Sequence, residues 1–393
     1  MKTMDTALRA IIGKINKDHG TDTIITGDRL AKKVISRITS GSLALDVALG
    51  GGWPVNQWNE IVGEESAGKS ATILMTVAAN QAKDKAWTCV WVAAEEFVPS
   101  YAEMLGCDLK RIIVVDMNGM ESAFTAVMKF METKLVDAVV IDSLPALVPE
   151  REELGEMGEI PVGLGAWLTG QFFRKQGTAA KRSLTEAERP VTGFVVNQWR
   201  DQIGVKYGDP RTTPGGKAKN YWFFTRVEVR RDEWIVDGKD DGVDRRVGQT
   251  IKARIFKNKT TRPHQVGVYD YYFADGPGDL KAGSYDLLKE CINLGVRYEV
   301  IERKGAWYHF GGQQWNGRAE LLLGIREDPA LSERIKAEVL DVAVKGKVKP
   351  PQEPGDADDE GSTDDGVDVE APARKVAPRR AAAQKRKVTR KSS

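Results

Sequence analysis

Apolar residues along this chain change period in a regular way. Trp58-Asn59-Glu60-Ile61-Val62 reads as a short strand, and Ser70 to Lys83 then carries Ile73, Leu74, Val77 and Ala78 at a helical period. Trp87 to Ala94 and Ala138 to Ile141 are continuous apolar runs, as a parallel sheet covered on both faces requires. Phe194-Val195-Val196 is another buried strand, preceded by a predicted helix from Ala166 to Lys175. Near the start, Leu8, Ile11, Ile12 and Ile15 share one face of a helix over Thr6 to Lys17, with His19-Gly20 as its stop. Ser42 can cap a short helix that ends in Gly50-Gly51-Gly52.

Residues Thr225 to Arg230 and Thr250 to Lys259 alternate apolar with polar, which predicts half-exposed antiparallel strands at the sheet's edge. A smaller unit begins near Asp275. It has a helical pattern at Tyr285, Leu287, Leu288 and Ile292, a strand over Gly305 to Phe310, and a helix from Leu331 to Val344. The expected organisation is an α/β chain with a helix and strand in 1–35, a core in 36–273, a small α/β unit in 274–345 and a tail in 346–393. The tail has no apolar period. It is acidic from Asp356 to Glu370 and basic from Arg374 to Lys391, so it reads as disordered. The two blocks can attract each other, the basic end can hold nucleic acid, or the tail simply solubilises.

Composition narrows the class. At 393 residues and 41% hydrophobic content the chain can bury a large core, and no apolar run approaches a membrane span, so an intracellular protein is expected. Cys89, Cys107 and Cys291 form neither a metal spacing nor a disulfide framework. His19, His264 and His309 are isolated, which leaves a metal centre or a histidine-based nucleophile without support.

The chemistry lies between the first core strand and its helix. Gly63-Glu64-Glu65-Ser66-Ala67-Gly68-Lys69-Ser70 has the spacing of a phosphate-binding P-loop. Gly63 and Gly68 let successive N–H groups face a phosphate chain, Lys69 reaches the outer phosphates, and the Ser70 hydroxyl can ligate Mg²⁺. The helix start adds free N–H groups and the positive end of its dipole. Beside a P-loop, Glu95 or Glu96 at the end of one strand can orient a water against the terminal phosphate, and Asp142 at the end of another can help hold Mg²⁺ through water. Gln198 follows the strand ending at Val196 and is a candidate γ-phosphate sensor.

Two loops are glycine-rich. Glu150 to Gly165 carries Gly155, Gly158, Gly163 and Gly165 among charges. Trp199 to Lys219 sets Arg200, Lys206, Arg211, Lys217 and Lys219 beside Tyr207 and Pro214-Gly215-Gly216, a composition that suits a nucleic-acid backbone and equally a surface loop.

Taken in order, these motifs resemble the RecA-type homologous recombinases from about Ala7 to Val344. The likeness rests on Ile38 to Asp46, the P-loop, Thr88-Cys89 with Ala94-Glu95, Val139 to Ser143, Asn197-Gln198 with Arg200, Thr212-Thr213 with Gly215-Gly216, Lys257-Asn258-Lys259, and Gly305 to Tyr308. The resemblance implies a RecA-like P-loop core with a central, mostly parallel twisted sheet and ATP with Mg²⁺ as cofactors. It makes Glu95, rather than Glu96, the residue that activates water, and Gln198 the link from γ-phosphate to DNA. Tyr101 becomes the aromatic that stacks on adenine, while Lys257 and Lys259 reach the nucleotide of the adjacent protomer. Glu156, Met157, Gly158 and the segment Trp199 to Gly216, with Lys217, become DNA-binding loops, and the amino-terminal helix becomes a polymerisation helix. Partners implied are single-stranded and double-stranded DNA, further copies of the chain, and single-strand-binding and loader proteins, with no membrane. The implied setting is recombinational repair and the response to DNA damage in the cytoplasm of a bacterial or phage-infected cell.

The chain departs from the family at several points. Ala93 stands where the family has an acid, and the loop from Glu95 to Tyr101 is one residue short, so the aspartate that meets the adenine amino group is missing. Asn220 replaces a lysine, with Lys219 beside it. The motifs point first to a DNA-dependent ATPase and strand-exchange recombinase, with a DNA-coating filament of little hydrolysis and a ring-forming helicase as alternatives on the same core.

Overall fold

A computed structural model describes residues 6–19, 24, 26–27, 36–133, 135–156, 163–186, 190–201 and 210–345. Met157, Gly158, Lys206, Tyr207, the strand expected before residue 36 and the tail from 346 lie outside the described residues.

A nine-stranded sheet organises the rest. In chain order its strands are β1 (Trp58–Val62), β2 (Cys89–Ala93), β3 (Ile112–Val115), β4 (Ala138–Asp142), β5 (Thr192–Asn197), β6 (Thr225–Asp240), β7 (Val243–Asn258), β8 (Gln265–Tyr272) and β9 (Ser284–Tyr285). Their spatial order is β9-β8-β7-β6-β1-β5-β4-β2-β3. The six strands from β6 to β3 run parallel, and β7, β8 and β9 add antiparallel.

The unbroken apolar runs follow from burial on both faces. In β4, Ala138 and Val140 join one apolar cluster while Val139 and Ile141 join the other, and in β2 Trp91 and Val92 divide the same way. Side chains alternate across a strand, so a sheet covered on both sides needs an apolar residue at every position. Helices α2 (Leu43–Leu49) and α3 (Lys69–Lys83) supply residues to the first cluster, and α4 (Met120–Thr133) and α5 (Leu164–Glu186) to the second. The hydroxyl of Ser42 accepts from the Leu45 N–H at 3.1 Å, and Gly50 closes α2 in the left-handed region at φ 83°.

Two expectations are corrected. The alternating segments beginning at Thr225 and Thr250 do not lie at the sheet's edge. They belong to a hairpin of two 16-residue strands inserted between β1 and β8, and the edges are β3 and β9. Their alternation has another cause: the far half of the hairpin is largely exposed, while the near half is buried on alternate residues. Tyr285 is not helical either. It pairs with Tyr271 in β9, and Asp286 then caps α6 (Leu287–Arg297) by accepting from the Lys289 N–H. The helix predicted over Ala166 to Lys175 is longer and spans all of α5.

The carboxy-terminal region holds α6, a three-stranded sheet (302–304, 307–310, 313–316), α7 (Arg318–Glu327) and α8 (Pro329–Lys345). Its buried Cys291, Ile292, Leu321, Ile335 and Val339 join the same apolar cluster as β2 and α3. The amino-terminal α1 (Thr6–His19) leaves Leu8 and Ile11 about half exposed, at 47% and 57%. Among the described residues no helix is long and apolar enough to cross a membrane.

Candidate functional site

The loop between β1 and α3 is shaped by contacts that exclude side chains. A Cβ on Gly63 would meet the Val229 carbonyl oxygen at 2.3 Å, and Gly68, at φ 91°, lies against Ile251. Only glycine combines such close approach with the left-handed turn at the helix start. Thr72 then locks the first turn, its N–H and hydroxyl both donating to the Gly68 carbonyl at 2.9 and 2.8 Å.

Above this loop lies a cavity of about 430 Å³. It brings together Glu65, Ser66, Ala67, Gly68, Lys69 and Ser70 with Glu95, Tyr101, Asp142 and Gln198, which come from three other stretches of chain. Gly63 and Glu64 shape the loop without lining the cavity, and the Glu64 carbonyl accepts from the Lys69 ammonium at 2.6 Å. Burial lowers the Lys69 pKa, while Glu95 and Asp142 pull it back up. Asp142, at the end of β4, is pushed up to about 6 chiefly by burial; the Ser70 hydroxyl and Lys69 oppose the shift and Glu95 adds to it. Its Oδ1 is buried without a hydrogen-bond partner.

Glu95 is the focus of the polar contacts. The Ser143 hydroxyl donates to its Oε1, and the Gln198 amide approaches the same oxygen at 3.5 Å. Its own N–H donates to the Asp142 carbonyl at 3.0 Å. Glu96 lines a different cavity, together with Glu95, Phe97 and Asp116.

A buried network continues behind Gln198. The Gln198 N–H donates to the Asn197 side-chain oxygen at 2.9 Å, and the Asn197 amide donates to Glu60 Oε1 at 2.9 Å and to the Pro214 carbonyl at 3.3 Å. Lys219, fully buried, donates to the same Glu60 oxygen at 3.1 Å and to the Thr213 hydroxyl at 2.6 Å. Arg226 holds the other oxygen of Glu60. Glu60 on the strand that leads into the P-loop thus fixes both Asn197 and the end of the basic loop. In the sequence Lys219 reads as a loop cation beside Asn220, with no sign that it is buried. Its burial pairs it with a carboxylate 159 positions away, which no local pattern reveals.

The two glycine-rich loops share a base. Gly215 and Gly216, at φ 88° and 76°, pack against Leu144 and against Ala166 in α5, so the end of one loop sits on the helix that follows the other. Arg200–Asp201 and Arg211–Thr212 form a short antiparallel ribbon. Arg211 lies 4.7 Å over the Trp199 ring and donates to Glu228 at 2.5 Å, the same oxygen that takes the Trp199 N–H. Arg200, Lys217 and Glu156 are exposed.

Lys257 and Lys259, at the far end of β7, do not line this cavity. Their ammonium groups donate to the Asn220 and Tyr221 carbonyls, and Tyr221 itself is 78% exposed. Burial, reinforced by Lys259 and Arg226, lowers Lys257 to about 8.

The cavity also contains residues the sequence did not single out: Trp234 and Gln249 from the hairpin, and Tyr271 and Phe273. The Tyr101 and Tyr271 hydroxyls are 2.8 Å apart.

Comparison with known proteins identifies the family. A family model described as the RecA N-terminal domain matches residues 6–277. Protein RecA of Chlorobium chlorochromatii is 35% identical over 335 residues, which cover 84% of this chain and 89% of the relative. Protein RecA of Staphylococcus aureus (strain JH9) is 34% identical over 333 residues, covering 84% and 90%. Protein RecA of Lactobacillus delbrueckii subsp. bulgaricus is 35% identical over 340 residues, covering 85% and 95%. With a P-loop at the head of a mostly parallel sheet and a family match over most of its length, the chain belongs to the RecA family of homologous recombinases.

Proposed function

We propose that this protein is a DNA-dependent ATPase that assembles on single-stranded DNA and exchanges strands with homologous duplex in recombinational repair. The observation that carries this reading is the continuous set of contacts from Glu95 through Gln198, Asn197 and Glu60 to Lys219 and Thr213. It joins the nucleotide cavity to the end of a basic loop. A γ-phosphate that draws the Gln198 amide away from Glu95 would pull on Asn197 and hence on the loop base, so nucleotide state and DNA grip become one equilibrium.

Within the cavity, Lys69 and the loop N–H groups hold the β- and γ-phosphates, and Ser70 with Asp142 would hold Mg²⁺. The unpartnered Asp142 Oδ1 and its contact with Ser70 fit a hard cation. Among the described residues no three acidic, histidine or cysteine side chains gather into a metal cluster, and the chain would offer Ser70 directly and Asp142 through water. Bound there, Mg²⁺ would supply charge neutralisation at the phosphates. Glu95 accepts the proton of the attacking water as the new P–O bond forms and the β–γ bridge breaks. Ser143 holds the carboxylate in place. A coat without hydrolysis is disfavoured, because it would leave Glu95 without a task.

The filament contact has a natural partner surface. Thr88, Ile113, Met117, Phe130 and Leu135 line a cavity of about 810 Å³ beside the edge strand β3. The exposed Leu8 and Ile11 of α1 offer a complementary apolar stripe, which we assign to a neighbouring copy. Lys257 and Lys259 are then the residues that reach the neighbour's nucleotide. The proposed setting is the cytoplasm of a bacterial or phage-infected cell.

Phosphate release by Lys69→Ala, with and without single-stranded DNA, tests the reading. DNA-stimulated turnover should vanish; turnover at the unsubstituted level would refute the P-loop assignment. Electron microscopy with DNA and a non-hydrolysable ATP analogue should show helical filaments rather than closed rings.

A further inference from the structure

The side chains that line the nucleotide cavity fall into two chemical sets. One is charged or hydrogen-bonding: Lys69, Ser70, Glu95, Asp142, Gln198 and Gln249. The other is a wall of rings, Tyr101, Tyr271, Phe273 and Trp234, joined by the Tyr101–Tyr271 and Trp234–Phe273 contacts. A nucleoside triphosphate has the same asymmetry, with a charged chain at one end and a flat π-system at the other.

Trp234 reaches this wall from the long hairpin, paired across the ladder with Gln249, which also lines the cavity. Three contacts fix its indole. Arg231 and Arg246 place their guanidinium carbons 4.0 and 4.6 Å from the ring centre, and Phe273 meets it edge to face at 6.2 Å. Cation–π contacts from two strands of the hairpin hold a large side chain at the cavity while leaving it 37% exposed. An aromatic so held loses little freedom when a ligand arrives, which favours binding. The hydroxyls of Tyr101 and Tyr271 are turned on each other rather than on the cavity's contents. The Gln249 amide lies against Gly68 of the P-loop, so the aromatic wall offers rings more than fixed hydrogen-bond readers.

We propose that Trp234 is a nucleobase-binding residue of this site, and that it holds nucleoside triphosphates by aromatic contact without selecting between adenine and guanine. The proposal rests on the reading of the P-loop as the phosphate site. It also gives the base a contact that does not depend on the aspartate missing from the shortened loop before Tyr101. A site that hydrogen-bonds one base rejects its analogue strongly because buried polar groups are left unpaired, whereas a ring surface meets every base alike.

The test is displacement of a fluorescently labelled ATP by unlabelled ATP or GTP, without DNA, on the full chain and on Trp234→Ala, Trp234→Phe and Lys69→Ala. Trp234→Ala should raise the Kd of ATP and of GTP by a similar factor of about three to ten, the scale of one lost edge contact between aromatic rings, since Arg231 and Arg246 lie over the indole. Trp234→Phe, which keeps a ring, should stay within about threefold of the parent. A Trp234→Ala Kd equal to the parent's, or a loss confined to ATP, overturns the proposal. Lys69→Ala separates the two levels: if it binds nucleotide normally the P-loop reading fails, and if it loses binding while Trp234→Ala does not, only the Trp234 assignment fails. Trp234 is partly exposed, so the alanine variant should fold; an unfolded circular dichroism spectrum leaves Trp234→Phe against Trp234→Leu, similar in bulk but ringless, to decide on the same Kd criterion.

Discussion

The Gln198 amide lies 3.5 Å from the same Glu95 oxygen that receives the Ser143 hydroxyl. That one acceptor therefore couples a candidate base to a candidate sensor. Replacing Glu95 with Gln keeps the shape but removes the proton acceptor, and general-base contributions are on the order of 10²- to 10⁴-fold. Glu95→Gln should cut DNA-stimulated phosphate release by about that range while ATP still binds. Full turnover in this variant would move the base elsewhere, Glu96 being the adjacent carboxylate.

Gln198→Ala should give a different pattern. ATP binding survives, since Lys69 and the loop remain, but ATP no longer raises affinity for single-stranded DNA. Fluorescence anisotropy of a labelled oligonucleotide, with and without a non-hydrolysable analogue, measures the difference. A nucleotide effect of parental size would remove Gln198 from the coupling.

The Glu60–Lys219 pair predicts a stability result. Both side chains are fully buried, and Glu60 also holds Arg226. Removing one member of a buried ion pair costs roughly 3–5 kcal/mol when its partner is left uncompensated. Glu60→Gln leaves Lys219 and Arg226 without their carboxylate and should lower denaturant stability by about that amount. Lys219→Met leaves the Glu60–Arg226 pair in place and should cost clearly less. Equal losses in the two variants would show that packing, not charge, sets the cost.

Which of these features could be seen in the sequence follows from their range. The P-loop was legible because its chemistry lies in eight consecutive residues, Gly63 to Ser70. The strands β2 and β4 were legible because burial on both faces leaves a continuous apolar run. Trp234 was not, since its place at the cavity depends on hairpin length and on a register that sets it opposite Gln249. Lys219 was equally hidden: a lysine in a glycine-rich loop reads as solvated until the fold brings Glu60 against it. The same limit misplaced the hairpin at the sheet's edge, because an alternating pattern does not distinguish an edge strand from one that outruns its neighbours.

Filament assembly can be separated from nucleotide binding. Leu8 and Ile11 are exposed on α1, and charges there should block docking on the groove beside β3 while leaving the cavity untouched. Leu8→Asp with Ile11→Asp should sediment as a monomer with ATP and DNA where the parent forms large assemblies, yet bind labelled ATP within about threefold of the parent, the size of a small surface perturbation. Assemblies of parental size would place the polymer contact elsewhere.

Glu290 sets a pH dependence remote from the cavity. It is fully buried between α6 and the start of α2, where its Oε2 accepts from the Ser42 hydroxyl at 2.8 Å and the Ala44 N–H at 2.7 Å, while Oε1 has no partner. Burial is the main cause that pushes its pKa up to about 8; the two hydrogen bonds oppose it and Asp46 and Asp286 add to it. The folded chain thus keeps a proton that the unfolded chain releases near the ordinary value of 4.5. The group's contribution to stability is full below 4.5 and is lost as pH rises through about 8, by an amount on the order of a few kcal/mol. Glu290→Gln preserves an acceptor for both hydrogen bonds and cannot ionise. Its denaturation midpoint, followed from pH 5 to 8.5, should decline less than the parent's, and parallel curves would show that Glu290 does not titrate in this window.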